Sequence, residues 1–138
     1  MSVIEEAVVK IVRDDAGIGA IAGDRIYHSI LKENVMLPAM TYTVTNDTER
    51  VASLSGPSLL VQPHFQINCW ASNISDATGL ETAVRQALDG VTTTVLGVAI
   101  LGTTLTDHGD LFEPAVGKEV AQRRFGRRLE FDIWHREA

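Results

Sequence analysis

The chain has 138 residues, enough for one ordinary domain and too few for two, so residues 1–138 read as a single domain. Its 45% hydrophobic and 22% charged residues are a globular composition, and a formal net charge of -6 disfavours a free-standing nucleic-acid binder. A lone cysteine, Cys69, excludes an internal disulfide, while the absence of a signal-peptide pattern at the start and of any apolar run near ~18 residues predicts cytoplasmic synthesis and no membrane span.

The spacing of Ile4, Val8 and Ile11, widened by Ala7 and Val12, predicts a helix from Ser2 to about Arg13. Ser2 and Glu5 stand at capping-box spacing, and Glu6 and Lys10 at i,i+4 on the outer face. Gly17 and Gly19 interrupt the pattern; residues 20–22 form a short turn before Gly23, and Asp24–Tyr27 a short extended piece. Residues 32–38 read as a loop. Met40, Tyr42 and Val44 then alternate with threonines as a strand does, ending at Asn46–Arg50, a run that carries Glu49 and Arg50. The polar stretch 46–58 reads as a long loop or as two projecting strand ends.

Leu60–Trp70 is the next predicted strand. Phe65, Ile67 and Cys69 face one way, and His64, Gln66, Asn68 and Trp70 the other; Pro63 belongs near a strand end, a bulge or an edge. Asn73 or Ser75 can cap a second main helix to Leu88, with Ala77, Leu80, Val84, Ala87 and Leu88 as its apolar stripe. Glu81 and Arg85 are spaced as an i,i+4 pair, Gly90 sits where a helix stops, and Gly79 suggests close packing against a neighbour. Residues 92–106 read as one or two strands bent at Gly97 and Gly102, residues 107–118 as a loop, and Val120–His135 as the last strand. The expected fold is α+β: a mainly antiparallel sheet of four to five strands with two main helices packed on one face.

Few residues suggest chemistry. Asp107, His108, Asp110 and Glu113 form the densest polar cluster, and a small metal-dependent enzyme using residues 107–113 is one alternative reading. Asp, His and Gly are equally the residues of an ordinary turn. Cys69 has the apolar parity of its strand and reads as a buried, inert thiol. No catalytic, metal-binding or cofactor-binding set emerges. The arginines are more informative, since Arg123, Arg124, Arg127, Arg128 and Arg136 fall in the last sixteen residues. Arg123 and Arg127 share parity with Phe125 and Leu129, as though the strand outruns its own core and meets acids of a partner or solvent. Arg124 and Arg128 lie on the opposite face. A nucleic-acid module using these arginines is the other alternative. Trp70 and Trp134 both fall on the polar parity, a place for indoles covered by loops or by a protein contact.

The order of segments is itself distinctive: GDRIY at 23–27, a proline before the second strand, a strand ending CWA at 69–71, a helix ending ALDG at 87–90, DLFEP at 110–114, then an arginine-rich run and FDIW at 131–134. Nearly the whole chain resembles the tail-completion, or tail-terminator, family of long-tailed phages and gene-transfer particles. The resemblance implies a structural virion protein made in the bacterial host cytoplasm. It implies a homo-oligomeric ring, usually of six subunits, that caps the tail tube protein and meets the head-completion or stopper protein. DNA would pass through its lumen without specific binding, and no cofactor is implied. Arg123, Arg124, Arg127, Arg128, Glu49 and Arg50 are the candidate subunit-interface residues.

Overall fold

The computed structural model describes residues 3–29, 31, 36–45, 60–61, 63–112 and 125–136. Helix α1 covers Val3–Asp14 and buries Ile4, Ala7, Val8, Val9 and Val12 along one stripe. Lys10 pairs with Asp14 at 2.7 Å, one turn further along than the expected Glu6. Ser2, the expected cap, lies outside the described residues. A second helix, α2 at Ala16–Ala22, is longer than the short turn expected. Asp15 starts it by accepting the Ile18 amide at 2.9 Å, so its first turn does not depend on the glycines that obscured the pattern.

Helix α3 runs Ile74–Leu88 with Asn73 as its cap, whose Oδ1 accepts the Asp76 amide at 2.8 Å. Its buried positions are Ala77, Leu80, Glu81, Ala83, Val84 and Leu88. Gly90, at φ +77, takes the left-handed conformation that ends the helix. Gly79 corrects an expectation: it is exposed, and a Cβ built there meets nothing within 4 Å. Gly79→Ala is therefore expected to stabilise the protein by about 0.5–1 kcal/mol in urea unfolding, because alanine loses less backbone entropy on entering a helix.

Among the described residues the sheet has seven strands: β1 Ile26–His28, β2 Ala39–Thr45, β3 Leu60–Val61, β4 His64–Ala71, β5 Thr93–Val95, β6 Val98–Phe112 and β7 Phe125–Arg136. Its order is β1-β2-β4-β7-β6-β5, with β3 also paired to β7. It is mixed, since β1 pairs β2 in parallel while β2–β4, β4–β7, β6–β7 and β5–β6 are antiparallel. The four to five antiparallel strands expected correspond to the long ones. The additional strands are two or three residues long, too short to carry a period of their own. The predicted strand at 60–70 divides at Pro63, whose carbonyl accepts the Ile133 amide at 3.1 Å.

The largest correction concerns residues 107–112, expected as loop. They extend β6 to Phe112, paired with β7 down to Phe125. Residues 120–124, expected to open the last strand, lie outside the described residues. The β5–β6 hairpin turns on Leu96 at φ +50 and Gly97 at φ +79, a two-residue turn with both central residues left-handed, which matches the twist of the flanking strands. Gly102 marks a register shift against β7, as the sequence suggested.

Burial shows which face the helices cover. In β4, Phe65, Ile67, Cys69 and Ala71 are buried while His64, Gln66, Asn68 and Trp70 are only half-buried. Strand β7 repeats this, with Leu129, Phe131 and Ile133 buried. These side chains and those of the helices form one core. The opposite face of the sheet is polar and has no described helix over it.

Candidate assembly surface

Arg127 stands on the helix-covered face of β7, opposite Cys69 of β4 and Asp110 of β6. That parity led to the expectation that it reaches a partner or solvent. Instead it meets acids of its own chain: Nε donates to Glu81 Oε2 and Nη1 to Asp110 Oδ1. Glu81 is 7% exposed at its side chain, so a charge would be stranded there without a guanidinium. These two carboxylates push the Arg127 pKa upward against the cost of burial. Glu81 thus pairs across to the sheet and not with Arg85 along the helix. The signal was available in the sequence, because position 81 falls on the same helical stripe as Ala77, Leu80, Val84 and Leu88.

Burial pushes the Cys69 thiol up, and the nearby Glu81 carboxylate adds to this. The thiol is fully buried and poorly disposed to form a thiolate, so it is a core side chain.

Arg128 faces the other way. Its Nη1 donates to Glu130 Oε2 at 3.0 Å and its Nη2 to Asp107 Oδ2 at 3.2 Å. His64 Nε2 also lies 3.3 Å from Glu130 Oε1 and its Nδ1 2.8 Å from Asp132 Oδ1, and both nitrogens donate when the ring is protonated. A line of alternating charge therefore crosses the open face from β6 through β7 to β4. Beside it, Gln66 donates to Asn68 at 3.1 Å and the Trp70 indole to Thr41 Oγ1 at 3.3 Å. Both indoles, Trp70 and Trp134, are half-buried on this face.

A bulge makes the arrangement possible. Leu105 pairs with Phe131, but Asp107 pairs with Glu130, so Thr106 is the extra residue. The slip reverses the parity of everything after it. Asp107 is carried to the open face beside Arg128, and Asp110 to the helix face beside Arg127. Two carboxylates that a turn would have held together stand three apart on a strand and so on opposite faces, and the bulge decides which arginine each one meets. Among the described residues no group of three His, Cys, Asp or Glu side chains is placed to hold a metal ion. The His64 carboxylates likewise bracket opposite ring nitrogens and do not converge on one point.

Burial alone would lower the His64 pKa, but the hydrogen bonds to Asp132 and Glu130, with their charges, raise it above its ordinary 6.5. A raised folded-state pKa contributes stability that is fully present below the unfolded value and lost as pH rises through the folded one. NMR titration of His64 is expected to give a midpoint above 6.5. In parallel, His64→Gln should flatten the decline of wild-type stability between pH 6.5 and that midpoint.

Of the six residues expected at a subunit interface, Arg127 and Arg128 are described and are held by intramolecular ion pairs. Arg123, Arg124, Glu49 and Arg50 lie outside the described residues.

The comparisons with known proteins agree with this picture. The model of the family described as Tail completion protein gp17 matches residues 6–136. Among solved structures, a chain from the virion of a native gene transfer agent particle superposes with a TM-score of 0.65 at 17% identity, covering 96% of this chain and 92% of that one. At that identity the likeness speaks to the fold. No curated protein matches. With its family matched over nearly its whole length, the chain belongs to the tail completion protein gp17 family, as a structural, non-enzymatic component of a phage-type virion.

Proposed function

We propose that the chain closes the finished tail tube as an oligomeric ring of six subunits and joins it to the head-completion proteins, with DNA passing through the centre. The observation that carries this reading is the tail-completion family match across residues 6–136. The fold supports it in two ways. The sheet offers an open, charged face whose groups are already paired among themselves, a surface that can meet another subunit without stranding a bare charge. The net charge of -6 suits a ring through which a phosphate backbone slides without sticking. Arg123, Arg124, Glu49 and Arg50 stay candidates for the subunit contact on their charge, and Arg128 on its place at the open face.

The test is direct. Purified chain is mixed with tail tubes assembled without it and viewed by negative-stain electron microscopy. A ring at one end of each tube and an end to elongation are expected, with native mass spectrometry of the released rings giving six copies. Tubes that keep elongating and carry no added density would contradict the proposal.

A further inference from the structure

Strand β6 forms a long outer edge of the sheet. Strand β5 covers it only at Val98–Ile100, and no other described strand pairs with its outer side from Leu101 to Phe112. A bare edge of this length is a template for another chain's strand. Three of its outward backbone groups, however, are met within the chain. The Thr103 carbonyl accepts the Gly90 amide at 2.8 Å. The Leu105 amide, also pointing away from β7, donates to Asp89 Oδ1 at 3.1 Å across sixteen residues of sequence. Past the bulge the outward set shifts by one residue, which makes His108 the next outward amide. That amide donates to Asp107 Oδ1 at 2.9 Å.

The Asp107 carboxylate has a second partner. Its other oxygen is held by Arg128 at 3.2 Å. The His108 amide first, and the Arg128 charge with it, keep its pKa below the usual carboxylate value, so it remains an ionised acceptor. Asp89 is fixed from the other side, at the end of α3, where its own amide donates to the Arg85 carbonyl at 2.9 Å.

We propose that Asp89 and Asp107 guard this edge: their carboxylates occupy the outward amides of Leu105 and His108 and so prevent a second copy of this chain from adding a strand to β6. Contacts between subunits then form through other surfaces, and the chain stays dispersed until it meets its proper partners. The device is independent of ring formation, since it concerns which surface is closed and not which one is used.

The experiment compares wild type with Asp107→Asn, the double variant D89A/D107A, and that double variant carrying His108→Pro, by size-exclusion chromatography with light scattering at matched concentrations. Asparagine keeps an acceptor oxygen at 107 while removing the charge, so Asp107→Asn should elute as wild type. The double alanine variant should shift to higher, concentration-dependent mass with thioflavin binding. Proline at 108 removes the outward amide and is tolerated on an edge, so it should reverse that shift. A folded double alanine variant with wild-type mass would overturn the proposal, as would association of Asp107→Asn to the same extent. Should the double variant fail to fold, amide exchange in the wild type decides. Leu105 and His108 are expected to exchange at least tenfold more slowly than unstructured amides, and unprotected exchange at both would overturn the proposal.

Discussion

Arg127→Met is expected to destabilise the protein by about 3 kcal/mol, the low end of the range for stranding one partner of a buried ion pair. The low end applies because the arginine side chain is 19% exposed and water can reach part of the site. For a chain of this size the loss corresponds to a fall in Tm of roughly 10 °C. The damage falls on Glu81, left charged and 7% exposed between α3 and the sheet. Asp110, 73% exposed, is simply returned to water. Glu81→Leu should cost a comparable amount by leaving Arg127 partly desolvated with only Asp110. The double variant E81L/R127M should then recover most of the loss, because two apolar side chains of similar volume remove both charges together. Urea unfolding of the four proteins gives the coupling directly. Simple addition of the two single losses would show that the pair is not the unit the structure describes.

The second large effect lies in the core. Phe65 of β4 and Phe131 of β7 are register partners, both fully buried, on the helix-covered face. Truncating either to alanine removes a large apolar side chain and leaves a cavity that the neighbouring strands can only partly close. The expected cost is about 3–5 kcal/mol each. Total stabilities of single domains are about 5–15 kcal/mol, so one such change takes a large share. Because the two rings are cross-strand neighbours, the double variant is expected to lose less than the sum. A loss below about 1 kcal/mol for either single variant would show that the rings are not at the centre of the core.

These two sites differ in how far the sequence displayed them. The core was largely plain from alternation: Phe65, Ile67 and Cys69 at one parity of β4, with Leu129, Phe131 and Ile133 at one parity of β7, where Phe125 shares the parity but is 38% exposed. Helix α3 was equally plain, since Asn73, the stripe from Ala77 to Leu88 and Gly90 are local signals that agree. The Arg127 site needed two elements distant in sequence to be read together. A charge at apolar parity on β7 and another on the apolar stripe of α3 are each anomalous alone and account for each other only once the helix lies on the sheet.

Residues 107–112 were obscured for a different reason. Asp107, His108, Gly109 and Asp110 have the composition of a turn, and their strand is stabilised by pairing with β7 more than by their own preferences. The bulge at Thr106, which decides the face each aspartate meets, leaves no mark in residue type. Pairing of β1 with β2 in parallel is likewise a tertiary fact, carried by three residues that do not alternate for long enough to announce a strand.

Completion of the tail is best tested in particles made without this chain. The producing bacterium is given a deletion of its coding sequence, and the particles are imaged by electron microscopy. Filled heads apart from tails, with tubes of irregular length, are expected, and supplying the chain in trans should restore uniform, head-joined tails. Tails of normal length joined to heads in its absence would contradict a role in completing the tail.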